Sequence, residues 1–453
     1  MDILEGQKLI KNKDYRNALN FFLNIKKKEV KNVNIFFYLG LIYFELNKLN
    51  KSIFYYSEFL KKNPQSETGL LNLALAKQAT GELKFAKKLY IKIININKKN
   101  VRAYYGLYML NEDFLKEDLF NNLYEISKNK KLSLYQRGII DFLFSKKAKI
   151  DNDHKKEIEY LKNSHSNIFN SNKAYNLSSQ FYYNNVISKF FSKIVILEKD
   201  KNENNTETIS PIFIIGLPRS GSTLIESILT SSKENIESYG ECHVFNMSIL
   251  NQIGPKIFNE SFNHEDFKFK INFKNLKNSI FEKYSQFNKV KNKKFIDKSL
   301  ENIFNIEFIK NIYPKAKFIN TYRNSLDSVI SIYQSMLPDL SWTHTLEDIL
   351  IYIDNHHKVL NYFKQKYPDM IMDIDLEEFT NNSEELTKKM FNFCQLTWSE
   401  NTLNFYKRRD LYSKTLSFNQ IRSKVSIYNN NKYQSYYSLL DKFKDKYDWL
   451  NSN

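Results

Sequence analysis

Hydrophobic positions in the first hundred residues recur on two scales. Within each stretch they fall every three to four residues, the spacing of an amphipathic helix, and the stretches themselves repeat every 34 residues. Aligned at that period, Leu39, Leu73 and Leu107 coincide, as do Ala18, Ser52 and Ala86, and Phe22, Tyr56 and Tyr90. Gly81 falls where Asn47 stands one period earlier. The stretches "LGLIYFELNKLNKSIFYYSEFLKKNP" and "LALAKQATGELKFAKKLYIKIININ" each predict two amphipathic helices joined by a short polar turn. The small residue at Ala18, Ser52 and Ala86 lets the second helix approach the first, and the aromatic four positions on fills the groove between repeats. A weaker helical pair runs through "KEIEYLKNSHSNIF" towards residue 196, and the polar, charged "EKDKNENNTETIS" (198–210) reads as a linker or surface loop.

After residue 210 short apolar runs alternate with helical patterns. Pro211 to Ile215, "KKFIDKS" and "AKFINTYRN" each predict a buried strand followed by an amphipathic helix, and "DMIMDIDLEEF" predicts a fourth strand. That alternation implies a parallel sheet covered by helices on both faces, where ligands bind beyond the carboxyl ends of the strands. The loop 216–223, Asp297-Lys298 and Arg323 all sit at those ends. The earlier array resembles the tetratricopeptide repeat, a stacked helix pair that cannot bury its apolar face alone, with about three repeats over residues 5–110. The expected fold class is α+α/β: a tetratricopeptide-repeat helical array over 1–140, a helical connector and linker over 141–208, and a P-loop-like α/β domain with a central parallel sheet over 209–453.

Candidate chemistry begins at "GLPRSGST", 216–223. The spacing matches a phosphate-binding loop, G-x-x-x-x-G-K-[ST], except that Ser222 stands where the lysine belongs. Backbone N–H groups at a helix N-terminus form an oxyanion site, and Arg219, Ser220, Ser222 and Thr223 add one charge and three hydroxyls. Without the lysine that neutralises a triphosphate, the loop suits a single phosphate with little need for a metal. In "FINTYRNSLDSVISIY", Arg323 leaves a strand and Ser331 follows eight residues later, a spacing that brings a guanidinium and a hydroxyl onto one anion.

Composition narrows the picture further. The 453 residues, 42% apolar and 15% aromatic, suffice for several cores, and scarce Gly (10) and Pro (7) favour helices. The net charge of +18 suits an anionic substrate or spreads lysine over solvated faces. No basic helix interleaved with aromatics points to nucleic acid. Cys242 and Cys394 are too few for a disulfide framework or structural zinc. The opening "MDILEGQKLIKNKDY" lacks a signal-peptide core and no run of about 18 apolar residues follows, so a cytoplasmic protein without a membrane span is expected.

Together, "GLPRSGST" and "YRNSLDSVISIY" resemble the sulfotransferase family, whose donor is 3′-phosphoadenosine 5′-phosphosulfate. The sequence is especially similar to bacterial members with tetratricopeptide repeats ahead of the enzyme domain and to the tyrosylprotein sulfotransferases, through the repeats, "YGE", "DK", "YRN" and the late "LSFNQIRSKVSIY". The resemblance implies that Arg219, Ser220, Gly221, Ser222 and Thr223 cradle the 5′-phosphosulfate and that Arg323 and Ser331 bind the 3′-phosphate. It implies further that Arg422 and Lys424 lie over the donor, that Glu241 is the general base and that Lys298 stabilises charge on the transferred sulfuryl group, assisted by Arg219. No metal is expected. The chain departs from the pattern after "DK", where bacterial members often carry proline and Ser299-Leu300-Glu301 stands here, and after Glu241, where Cys242-His243 replaces an arginine-bearing run.

His243 is therefore a second candidate base, whereas Cys242 reads as a small buried residue and His356-His357 receive no role. A lysine simply paired with neighbouring Asp297 is the plain alternative for Lys298. The array suits a peptide or protein partner that is itself the acceptor, a tyrosine for instance; carbohydrate, lipid and small-molecule hydroxyls stand as alternatives. Two other functions compete with sulfuryl transfer: a P-loop kinase of a small molecule using Asp297 for magnesium, and a non-catalytic repeat scaffold with a nucleotide-binding domain.

Overall fold

The computed structural model describes residues 3–28, 32–197, 209–234, 236–257, 269–287, 294–408, 410–415, 417–429 and 431–451. They form two compact units: Met1–Ser171 with Ser285–Lys289 and Arg408–Arg422, and Asn172–Tyr284 with Val290–Lys407 and Ser423–Asn453. The expected connector 141–208 is thus divided, its residues to Ser171 belonging to the first unit and those from Asn172 to the second. Of the expected linker 198–210, all but Ile209 and Ser210 lie outside the described residues.

The first unit is helical: α1 (Ile3–Lys11), α2 (Tyr15–Lys28), α3 (Asn34–Glu45), α4 (Leu49–Lys62), α5 (Glu67–Ala79), α6 (Leu83–Ile96), α7 (Val101–Leu110), α8 (Asp118–Ser127), α9 (Leu134–Ile150) and α10 (His154–Ser171). Successive helices pack against one another, α3 on α4, α5 on α6 and α9 on α10 most extensively. The 34-residue period is visible in the backbone. Lys13, Asn47 and Gly81 all take left-handed conformations, with φ of 56°, 58° and 84°. At each turn the next amide reaches back to a carbonyl five residues earlier: Asp14 N to Leu9 O, Lys48 N to Tyr43 O and Glu82 N to Lys77 O. This pattern satisfies carbonyls that a helix end would otherwise leave open.

All nine positions picked out by the period are buried. Ser52 can replace alanine there because its hydroxyl donates to Gly40 O at 2.8 Å, which offsets the loss of water. Helix starts are marked by side chains: Ser66 accepts from Gly69 N, Asn100 from Ala103 N, and Ser133 forms a capping box with Gln136.

The second unit is built on a four-stranded, all-parallel sheet. Its strands are β2 (Ile212–Gly216), β4 (Ile296–Asp297), β5 (Lys317–Tyr322) and β6 (Ile371–Asp375), in the order β4-β2-β5-β6. These are the four strands that the apolar runs predicted. A second, two-stranded parallel sheet of β1 (Ile194–Leu197) and β3 (Phe269–Asn272) had no such signal. Every residue of β2 is buried, as expected for a strand with neighbours on both edges and helices on both faces. Register pairs Gly216 with Thr321, so the end of β2 lies beside the end of β5. Segment 237–240 runs along β4: Ile296 N donates to Glu237 O, Tyr239 N to Ile296 O and Lys298 N to Gly240 O, each at 2.9 Å. No described helix is long and apolar enough to cross a membrane.

Tyr56 fills the core between α3, α4 and α5. Replacing it with alanine is expected to cost about 3–5 kcal/mol, the range for a deleted buried aromatic. Urea unfolding of the full chain measures this, and a loss below about 1 kcal/mol would contradict the packing described.

Candidate active site

Three pieces of the second unit converge at the carboxyl end of the sheet. The first is the loop after β2. Gly216 has φ of 136°, and a Cβ there would stand 2.2 Å from Thr321 O, so only glycine lets the chain leave the strand in this direction. Ser220, buried, donates to Leu217 O at 2.7 Å and shares a 2.8 Å hydrogen bond with Thr321 Oγ1. Its hydroxyl therefore pins the loop to β5. Arg219 adopts a left-handed φ of 69° and stays half-buried. The helix Ser222–Leu229 then starts at Gly221, which provides no side-chain cap, and Ser222 and Thr223 are buried in its first turn. Its first N–H groups and dipole are thus directed at the space over the loop.

The second piece is Arg323, one residue beyond β5. Its Nη1 donates to Tyr428 Oη at 3.2 Å and its Nη2 to Asp327 O at 3.0 Å. Its Nε is buried without a partner. The guanidinium lies 5.3 Å from the Tyr433 ring centre, and Tyr433 Oη donates to Ser331 Oγ at 3.2 Å. The two residues expected to share an anion thus meet at one phenol. Asp327 fixes the surroundings by accepting from Tyr428 Oη at 2.5 Å and Tyr437 Oη at 2.6 Å. Burial alone would raise the pKa of Tyr433, but the charges of Arg323, Lys432 and Arg219 and the bond to Ser331 bring it below the ordinary phenol value. A field strong enough to overcome burial, next to an unpaired buried donor, is what an anion would satisfy.

The third piece is Lys298. It is 1% exposed, and its Nζ lies 2.7 Å from Glu241 Oε1 and 3.6 Å from Glu226 Oε2. Desolvation acts to neutralise the amine, yet the two carboxylates hold it charged and push its pKa up. Glu226, on the helix after the loop, is itself pushed up by burial and accepts from Ser238 Oγ. Asp297 is not the partner of Lys298. It is wholly buried and accepts from Ser299 N (2.8 Å), Tyr284 Oη (2.6 Å) and Cys242 Sγ (3.2 Å). His243 lies one residue past the Cys242 contact, with Nδ1 2.5 Å from Glu301 Oε1 and its amide on Ser299 Oγ. Cys242 is buried and its thiol is pushed well up by burial. His356 is buried and pushed down to about 3 by burial, which keeps it neutral.

Two expected residues remain. Arg422 belongs to the first unit, where its guanidinium donates to Ala79 O, Leu411 O and Phe418 O. Lys424 is exposed. Glu226, Asp327, Tyr428, Tyr433 and Tyr437 were not singled out from the sequence. Glu226 carries a signal, a lone acid within the otherwise apolar or small "STLIESIL". Tyr428 closes the stretch "LSFNQIRSKVSIY", whereas Tyr433 and Tyr437 carry no signal, since they reach Ser331 and Asp327 across about a hundred residues of chain.

Residues 211–400 match the model of the Sulfotransferase family. An uncharacterized protein of Aquifex aeolicus (strain VF5) is 25% identical over 380 residues, 80% of this chain and 47% of that protein. The uncharacterized protein ycf37 of Pyropia yezoensis is 35% identical over 101 residues, 22% of this chain and 53% of that protein. The chain thus spans about half the length of the curated relatives it matches. Among solved structures, sulfotransferase STF1 from Mycobacterium tuberculosis H37Rv overlaps with a TM-score of 0.32 and 11% identity, covering 64% of this chain and 92% of that one. Sulfotransferase STF9 from Mycobacterium avium gives 0.29 and 10%, covering 73% and 96%.

The electrostatics predict an early phenolate. In an ultraviolet pH titration, the difference between the native chain and Tyr433→Phe should show ionisation with a midpoint below 10, the ordinary value. Because the folded value is the lower one, this phenol adds stability above the unfolded midpoint and loses it as the pH falls through the folded one. Added inorganic phosphate should move the midpoint upward; a midpoint above 10 without phosphate would refute the described field.

Proposed function

Because residues 211–400 match the model of the Sulfotransferase family, we propose that the chain moves a sulfuryl group from 3′-phosphoadenosine 5′-phosphosulfate to an acceptor hydroxyl. The observation that carries this reading is Arg323, buried beside a lysine-less loop with Nε unpartnered and with Ser331 meeting it at Tyr433. A donor with a second, separate phosphate calls for such a second anion site, whereas a triphosphate presents its charges in one row.

In this reading Arg219 and the turn Ser220-Gly221-Ser222-Thr223 hold the 5′-phosphosulfate, through the open helix N-terminus more than through Ser220, whose hydroxyl is engaged with Thr321. Arg323 and Ser331 hold the 3′-phosphate, and the exposed Lys424 is available to the same donor. The donor supplies an activated sulfuryl group. Lys298 and Arg219 offset the negative charge that develops on the leaving phosphate. Glu241, with 43% of its side chain exposed, is open to an acceptor and takes the hydroxyl proton. Glu226 keeps a counter-charge on Lys298 while Glu241 changes partner. His243, held by Glu301, is the alternative base.

For the acceptor we favour a protein tyrosine, delivered by a peptide bound to a tetratricopeptide-like array; the paired, 34-residue helical units support that choice. Magnesium-dependent phosphoryl transfer fits less well, because the Asp297 oxygens are already engaged by Ser299, Tyr284 and Cys242.

Calorimetric titration should show tight binding of 3′-phosphoadenosine 5′-phosphate and none of ATP with magnesium. Preference for ATP, or silence with both, would overturn the reading. Arg323→Ala should weaken the bisphosphate about 10- to 100-fold, the worth of charge-assisted hydrogen bonds, and unchanged affinity would remove Arg323 from the site. Glu241→Gln should leave donor affinity intact and slow transfer about 10²–10⁴-fold; near-normal turnover would shift the base to His243.

A further inference from the structure

Three tyrosines of one short segment, Tyr428, Tyr433 and Tyr437, each hydrogen-bond to the helix Ser325–Tyr333 of the same unit. Asp327 and Ser331 stand four residues apart on that helix and so share a face. Asp327 takes the two outer phenols, Tyr428 on Oδ2 at 2.5 Å and Tyr437 on Oδ1 at 2.6 Å. Tyr433 lies between them in the chain, five residues after the one and four before the other, and reaches Ser331. The segment is therefore clamped on both sides of Tyr433. The clamp is firm, because Asp327 is 1% exposed and hydrogen bonds to a carboxylate are stronger than those between neutral groups.

The directions of these bonds separate the three phenols, since each has one proton to donate. Tyr428 and Tyr437 give theirs to the carboxylate, and the Tyr428 oxygen then accepts from Arg323 Nη1 at 3.2 Å. Tyr433 gives its proton to Ser331 Oγ, a neutral hydroxyl. A hydroxyl that accepts still has its own proton to give, so neither proton of this pair is held by a charge. An anion is the better acceptor for both. Beside them lies the Arg323 guanidinium, 5.3 Å from the Tyr433 ring centre, with its buried Nε unpartnered.

The geometry points to Tyr433 as a further specificity-determining residue: its hydroxyl donates to the same phosphate that Arg323 and Ser331 bind, as a third ligand. The assignment rests on the donor reading above for the identity of that phosphate. Tyr428 and Tyr437 contribute indirectly, by fixing the segment before the ligand arrives, so that little side-chain freedom is lost on binding. A nucleotide without a 3′-phosphate offers this hydroxyl no acceptor of that kind. Tyr433 thereby separates the bisphosphate from the 5′-monophosphate, a distinction that the loop after β2 does not make.

Calorimetric titration of the full chain and of Tyr433→Phe, which keeps the ring and removes the hydroxyl, tests this. The variant should bind 3′-phosphoadenosine 5′-phosphate about 10-fold more weakly. It should bind adenosine 5′-phosphate, which lacks the 3′-phosphate, as the unaltered chain does. Unchanged affinity for the bisphosphate would overturn the assignment. Equal weakening of both nucleotides would mean that Tyr433 supports the site as a whole, and would overturn it too. If the unaltered chain binds neither nucleotide, the donor reading fails, and inorganic phosphate decides about Tyr433. Phosphate should then still raise the ionisation midpoint of this phenol, read as the ultraviolet difference between the unaltered chain and Tyr433→Phe. A midpoint indifferent to phosphate would remove Tyr433 as a ligand.

Discussion

A single ammonium deep in the second unit ties its parts together. Lys298 is 1% exposed, and a charge in that position is tolerated only where opposite charges and hydrogen bonds replace the lost water. They come from two directions: Glu241 at the end of the segment alongside β4, and Glu226 on the helix that follows the loop. The backbone of Lys298 is fixed as well, to Gly240 O. One side chain thus sets the loop helix, the sheet edge and the segment carrying Glu241 and His243 in a common frame. The neighbouring carboxylate, Asp297, serves the same frame from inside through Tyr284, Cys242 and Ser299.

The anion side of the site follows a different logic. There the buried guanidinium is not matched by a carboxylate of its own. Arg323 faces phenols and a carbonyl, with one N–H left over, and Arg219 adds its field to the same region. Asp327, the nearby carboxylate, spends its oxygens on the hydroxyls of Tyr428 and Tyr437. The two halves differ in how charge is met: the Lys298 ammonium lies against two carboxylates, whereas the Arg323 guanidinium meets phenols and a carbonyl and keeps Nε without a partner.

Much of this was legible in the chain. The four strands of the main sheet showed as apolar runs because parallel strands are buried on both faces, and the loop was recognisable because Gly216 and Gly221 sit at fixed offsets from β2. The array showed through Ala18, Ser52 and Ala86 because helix contact restricts side-chain size at a repeating position. What escaped notice depended on contacts between distant segments. The pairing of β1 with β3 joins short strands about 75 residues apart. Tyr433 looks like any other of the 30 tyrosines until the fold brings it to Ser331. The bonds of the Arg422 guanidinium to the carbonyls of Ala79, Leu411 and Phe418 had no local signal either.

The left-handed turns at Lys13, Asn47 and Gly81 carry a consequence for how such a chain can change its length. Each turn returns the backbone along the same path, with the same amide-to-carbonyl closure, so each helix pair hands the next one an equivalent starting frame. A cassette of one full period could be gained or lost between them with the flanking pairs still matched face to face, since each pair contacts chiefly its neighbours. Partial periods would not be accommodated, because they would rotate the buried stripe of Ala18, Ser52 and Ala86 out of line. Growth of the first unit is therefore quantised by its turns, while the second unit, whose strands find one another across long separations, admits no such unit of exchange.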